Sequence, residues 1–131
     1  MLYFCIYLIS YDVWYYFFHQ LLHTRYFYFI HKIHHKNIHP KYNDYYTIHF
    51  LEFPMQNMGL LLAMYFYKLQ MLQLIYAILF INIRGLMEHD ERMVFLVGNR
   101  HLLHHRIPKY NYGAYWLDYA FGTLYEGRLI N

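Results

Sequence analysis

Three histidine clusters constrain this chain more than any other feature: His19-x3-His23, His31-x2-His34-His35 and His101-x2-His104-His105. Positions i, i+3 and i+4 of a helix share one face, so each cluster is expected to aim its imidazoles in one direction. Eight imidazoles are too many for one tetrahedral ion, and they suit two metals of higher coordination number. A lone histidine is more often core or surface filler than a ligand. Three clusters, two of identical spacing, are not explained that way. The single cysteine, Cys5, excludes a thiolate zinc finger and any internal disulfide. No His-Glu-x-x-His is present, because Gln20 stands where a zinc protease keeps its general base.

The surroundings of these clusters point to lipid. The 131 residues suit a single domain, 1–131. The chain is 59% hydrophobic and 15% charged, whereas a soluble domain carries about a quarter charged residues. The aromatic share of 24%, with 18 Tyr and 11 Phe, suits a membrane–water interface, where ring and polar tip both find partners. An AT-rich coding sequence accounts equally well for the excess of Tyr, Phe, Ile and Asn. Net charge is +3, and the basic residues form no patch on a groove-entering element, so no nucleic-acid partner is expected.

Residues 2–18 form an apolar run broken only by Ser10 and Asp12. The run lacks the basic start and small-residue cleavage site of a signal peptide, and it leads straight into His19, so it is expected as a helix. Residues 26–36 read as a second helix and Asn37–Asp44 as a loop. Residues 46–53 are expected as a short helix ending before Pro54. Two apolar runs follow, Met58–Tyr67 and Met71–Ile83, with Lys68-Leu69-Gln70 between them. A helix over Asn99–Arg106 carries the last cluster. Pro108 and Gly113 bracket a loop, and Ala114–Tyr125 reads as a short amphipathic helix with a turn at Gly122. If residues 54–83 crossed a membrane once, His35 and His104 would lie on opposite sides. A shared site therefore requires the chain to enter and return. Arms of about 10–13 residues span only about 15–20 Å against a hydrocarbon core of about 30 Å, so the hairpin must dip, tilt or extend into its flanks. The expected fold is all-α: a membrane-embedded helical domain with a short helical hairpin and a histidine-rich di-metal site. Most Lys and Arg accompany the histidines, which puts the site on the cytosolic face. Lys68 is the exception and can snorkel.

The three boxes resemble those of the fatty acid hydroxylase/sterol desaturase superfamily. His31-Lys32-Ile33-His34-His35-Lys36 is similar to its second box, and Asn111-Tyr112-Gly113 follows the third at the usual interval. Asp118-x-x-Phe121-Gly122-Thr123 resembles the family's closing motif. His49-Phe50-Leu51-Glu52 resembles a His-Pro-x-Glu segment with Phe50 for Pro, and Glu88-His89 resembles the Glu-His upstream of the third box. The likeness runs from about Asp12 to Thr123. Gln20 replaces the usual Arg, and Met93 stands where members often have a further histidine. Members carry additional membrane helices before the first box, and those are largely absent from this chain.

The resemblance implies an integral membrane oxidoreductase. Its members use two iron ions and dioxygen to hydroxylate or desaturate a sterol or fatty acyl chain, with zinc as an alternative occupant in purified protein. It further implies an electron-donor protein, a b-type cytochrome or reductase, and an endoplasmic reticulum location in a eukaryote. The alternative is a catalytically inactive or fragmentary metal-binding relative. A degenerate relative should have lost box histidines, and all eight are present. A membrane di-zinc hydrolase ranks last, for want of a carboxylate base beside a ligand.

The candidate metal ligands are His19, His23, His31, His34, His35, His89, His101, His104 and His105, with His49 open as a tenth. A ligating histidine donates its other N–H to a carboxylate or carbonyl. Asp12 lies two helical turns before His19 on the same face, so it is a candidate acceptor for a ligand or for a neighbouring helix. Glu52, Asp118 and Asn111 are further candidates for ligation or for such support. Glu88, Asp90 and Glu91 read as a solvated face, His39 beside Pro40 as a loop residue, and Tyr26–Phe29 as packing or lipid-facing.

Overall fold

The computed structural model describes residues 1–127. Its N-terminal apolar run forms α1, Leu2–Leu22, which continues past Phe18 and carries His19 in its last turn. No Pro or Gly interrupts it. The second expected helix is much shorter. It forms α2, Tyr28–His31, and then a turn and a 3₁₀ segment, His34–Lys36. Tyr, Phe, Ile and His are all middling helix formers, and a run this short has little propagation to offset nucleation.

Residues 46–53 do not form the expected helix. A 3₁₀ turn covers Tyr42–Tyr46, and Pro54 lies in the first turn of α3, Glu52–Phe66. Proline is tolerated there, because its missing N–H would have no intrahelical partner anyway. The hairpin turns through residues 67–70 into α4, Met71–Glu88. Both arms outgrow their apolar runs, α3 at its start and α4 at its end, to reach about 22 and 27 Å at 1.5 Å per residue. Among the described residues, α4 is the helix long and apolar enough to cross a membrane, by length and composition. Its outer stripe, Leu72, Ile75, Leu79 and Ile83, is exposed.

α1 packs along both arms. Ser10 Oγ donates to the Gly59 carbonyl at 2.6 Å and Trp14 Nε1 to the Met55 carbonyl at 2.7 Å, so α1 runs antiparallel to α3. Phe4 meets Phe80 edge-on and Asp12 meets Arg84, so α1 runs parallel to α4. At Gly59 a Cβ would stand 2.8 Å from both Trp14 Cβ and Tyr11 Cα, so glycine permits this approach. Tyr7, Tyr11, Leu60, Ala63, Ala77 and Ile81 form the shared core.

This packing fixes the site's position. The Gln70 N–H donates to Tyr7 Oη, pinning the start of α1 to the hairpin turn. The far end of α1, with His19 and His23, therefore comes to the start of α3 and the end of α4, beside Glu52 and His89. Three short helices close over that end: α5, Val94–Val97; α6, Arg100–Arg106, with the third box; and α7, Tyr115–Ala120. The expected turn at Gly122 takes φ +69°.

Candidate metal centre

Nine histidines converge there in two adjoining groups. His19, His23, His31, His35 and His104 form one, and His34, His89, His101 and His105 the other. Within each, one nitrogen per ring lies within 4.8 Å of all the others. The first box aims both of its imidazoles into the five-histidine group, as its spacing suggested, but the second and third boxes are each split. His31 and His35 enter the five-histidine group while His34 enters the four-histidine group. Reciprocally, His101 and His105 enter the second group and His104 the first. Positions i+3 and i+4 diverge by about 100° around a helix. An i, i+4 pair can thus face one centre while i+3 reaches its neighbour.

The hydrogen bonds behind the rings set their tautomers. His19 Nδ1 meets the Tyr112 carbonyl at 2.6 Å and His104 Nδ1 the Tyr110 carbonyl at 2.6 Å. His89 Nδ1 meets the Gly85 carbonyl at 2.7 Å and His105 Nδ1 the Asn37 carbonyl at 3.1 Å. A carbonyl only accepts, so Nδ1 carries the proton and the neutral ring presents an Nε2 lone pair. His31 Nδ1 likewise donates to Glu52 Oε1 at 2.7 Å, an oxygen that also accepts from Gln56 Nε2 at 2.8 Å.

Lone pairs consequently converge. His19 Nε2 faces His31 Nε2 at 2.8 Å, and His89 Nε2 faces the Nε2 atoms of both His34 and His101 at 3.0 Å. His23 and His104 present Nε2 to one another at 3.0 Å. Such an arrangement calls for positive charge at its centre. Protons are poorly suited to supply it: burial, and then the neighbouring imidazoles, hold His31, His34, His101 and His104 well below the ordinary histidine range. Burial, first among the causes, takes His23 down to about 3, His35 and His89 to about 4 and His105 to about 2. Neutral imidazoles are the form that binds a metal. Two nitrogens about 2.1 Å from one ion and at right angles to each other stand about 3.0 Å apart, the spacing found here. The buried His105 Nε2 has no hydrogen-bond partner in the protein, as suits a nitrogen reserved for an ion. The donor set fits two ions, one in each group.

The carboxylates divide differently from expectation. Glu52 is fully buried and accepts from His31. Asp12 supports no histidine. It accepts from Arg84 at 2.6 Å, so of its two expected roles the structure shows the contact to a neighbouring helix. Asn111 and Asp118 reach no imidazole either, and instead build the loop that does. Asp118 accepts from the backbone N–H of Tyr112 at 2.8 Å, the N–H of Gly113 at 3.1 Å and the Thr123 hydroxyl at 2.7 Å. Asn111, at φ +59°, accepts from the Tyr125 N–H and donates to the Tyr125 and Arg100 carbonyls. Asn tolerates that left-handed conformation better than most residues. The carbonyls on either side of it, Tyr110 and Tyr112, are those that orient His104 and His19.

His49 stands outside both groups, with Nδ1 accepting from the Leu51 N–H at 3.2 Å and its ring against Phe50. His39 is an exposed loop residue paired with Arg106. The acidic stretch is not one solvated face. Asp90 is buried and accepts from Arg92, starting a 3₁₀ turn, Glu91–Met93, and Glu88 is half-buried beside Arg84.

Comparison with known proteins places this geometry. The chain matches the family model "Fatty acid hydroxylase" over residues 4–123. No curated protein and no solved structure matches it. The matched segment contains all nine clustered histidines, the hairpin and the Asp118 loop, and the chain belongs to the fatty acid hydroxylase family.

Proposed function

We propose that this protein is a membrane-bound non-haem di-iron oxygenase that hydroxylates or desaturates a lipid, a sterol or a fatty acyl chain, with dioxygen. The observation that carries the reading is the partition of nine buried or half-buried imidazoles into two adjoining groups with converging Nε2 lone pairs. Two ferrous ions bound by neutral imidazoles would keep their charge and supply an electron-poor centre able to activate dioxygen against an unreactive C–H bond.

The chain's own residues then have defined tasks. The nine histidines hold the ions. The Glu52 carboxylate and the carbonyls of Tyr110, Tyr112, Gly85 and Asn37 fix ring tautomers and directions. The exposed apolar surfaces of α3 and α4 lie against lipid and bring an alkyl substrate within reach. Lys32, Lys36, Lys41, Arg92 and Lys109 lie in the segments around the histidine end, which favours the cytoplasmic face and, in a eukaryote, the endoplasmic reticulum. Electrons come from a b-type cytochrome or a reductase.

Lipid profiling of cells with and without the chain tests this reading, with His34→Ala as the control. A hydroxylated or newly unsaturated lipid should appear with the wild type and vanish in the variant. An unchanged profile from well-expressed protein carrying two irons, supplied with a reductase, would overturn it.

A further inference from the structure

Four tyrosines stand in register with the first box. Tyr3, Tyr7, Tyr11 and Tyr15 precede His19 and His23 at a constant spacing of four along α1. Residues four apart are neighbours on a helix surface, so these rings form one ridge that ends on the histidines. From Tyr3 to His19 the ridge covers about 24 Å at 1.5 Å per residue. The rings of Tyr11 and Tyr15 stack, with centroids 5.7 Å apart and planes 12° from parallel. Tyr15 then meets the His19 ring at 5.0 Å. Tyr7 and Tyr11 are buried in the shared core, and Tyr3 and Tyr15 are half-buried against it.

Packing does not call for four hydroxyls here, because Phe or Leu would fill the same core with no polar atom to satisfy. A phenol adds an acidic proton to the ring, and losing that proton with an electron makes tyrosine far easier to oxidise than phenylalanine. The proton has a place to go. Tyr11 and Tyr15 both line a cavity of about 30 Å³ beside His34, His89 and His101, with room for one molecule about the size of water. Arg84 lies 6.0 Å from the centre of the Tyr11 ring, but Asp12 at 2.6 Å and Glu88 at 4.0 Å balance its charge. Tyr112 and Tyr45 also meet clustered imidazoles, at 5.4–5.8 Å and 5.6 Å. Each meets its next ring steeply, Tyr16 at 89° and Tyr46 at 66°. Parallel overlap favours electron exchange between rings, and the Tyr11–Tyr15 pair has it.

We propose that Tyr15, Tyr11, Tyr7 and Tyr3 form a redox ladder that draws oxidising equivalents out of the metal centre when no lipid is bound to consume them. The oxidant is the iron centre after reaction with dioxygen. Tyr15 gives one electron to that centre and its phenolic proton to the cavity, and becomes a neutral radical. Tyr11 restores Tyr15 by passing on an electron and a proton, and the exchange repeats through Tyr7 to Tyr3. There a thiol or a comparable one-electron reductant supplies the electron and proton that close the balance. This inference rests on the reading of the histidine groups as iron sites, and it adds to them a protective path for electrons.

The full chain in detergent, loaded anaerobically with two ferrous ions, is mixed with dioxygen in the absence of lipid and freeze-quenched. Electron paramagnetic resonance should show an organic radical whose signal narrows when the protein carries ring-deuterated tyrosine. Tyr15→Phe keeps the ring and should lose most of that signal at full iron content, whereas Tyr112→Phe and Tyr45→Phe should keep it. Oxidised histidine, measured by mass spectrometry after repeated exposure to dioxygen and reductant, covers the case of a radical reduced faster than it is trapped. More should accumulate in Tyr15→Phe than in the wild type. A signal that survives Tyr15→Phe and vanishes in Tyr112→Phe or Tyr45→Phe would overturn the proposal. So would the absence of any tyrosyl signal together with equal histidine oxidation in the wild type and Tyr15→Phe. A wild-type chain unable to hold two irons would instead remove the di-metal reading beneath it, so the two failures are distinguishable.

Discussion

His31 donates from Nδ1 to Oε1 of Glu52 at 2.7 Å, and both side chains are fully buried. Among the described residues this is the hydrogen bond between a clustered histidine and a carboxyl group, so Glu52 is the acidic side chain in direct contact with the site. Glu52→Gln preserves shape and replaces the carboxyl group by an amide with one accepting oxygen. Metal affinity of the five-histidine group should fall about 10–100-fold, as for other outer partners of ligating histidines. Competition with a ferrous chelator reads this directly, and an unchanged retention curve would deny Glu52 the role.

Asp118 acts at one remove. Its two carboxylate oxygens gather the Tyr112 and Gly113 N–H groups and the Thr123 hydroxyl, so the loop presents two carbonyls to His104 and His19. Asp118→Ala leaves buried donors unpaired, at about 1–3 kcal/mol each. The expected outcome is a lower Tm together with selective weakening of one of the two ions. Asp118→Asn, which keeps one accepting oxygen, should recover part of both. Loss of both ions in equal measure would show that the loop supports the fold rather than one group.

Gly59 sets the distance between α1 and α3. A methyl there meets Trp14 Cβ and Tyr11 Cα at 2.8 Å, and such overpacking costs about 1–3 kcal/mol. Gly59→Ala should lower Tm, while Leu61→Ala on the exposed face of the same helix should change it little. Equal effects from the two would contradict the packing described.

The returning hairpin makes a topological prediction. Single cysteines at Asn37 and Lys109, in a background without Cys5, should be labelled by an impermeant thiol reagent from the same side of the membrane. Labelling from opposite faces is incompatible with a site shared by the second and third boxes.

The histidines that cluster in the fold were legible in the sequence because imidazole chemistry leaves a dense and spaced trace. His89, a single residue outside the boxes, was marked by its resemblance to a Glu-His motif. The partition between groups was not legible, since it depends on where i+3 and i+4 point once α2 breaks before His34. Nor were the supports at Gly85, Asn37, Tyr110 and Tyr112, because a backbone carbonyl has no side-chain signature. Asp12 shows how spacing can leave two roles open. It lies two helical turns before His19, as an outer acceptor would, but Arg84 on α4 is closer and carries a full charge. The helix expected over 46–53 failed on Pro54, whose place in a first turn depends on where α3 begins. The hairpin was legible because a shared site forbids a single crossing.

The metal stoichiometry of the purified chain tests the central claim most directly. Protein prepared in detergent under reducing, anaerobic conditions and analysed for iron and zinc should carry two ions per chain, one for each histidine group. A chain with no metal above background, or with a single ion after saturation with ferrous iron, would contradict the di-metal centre and the oxygenase reading built on it.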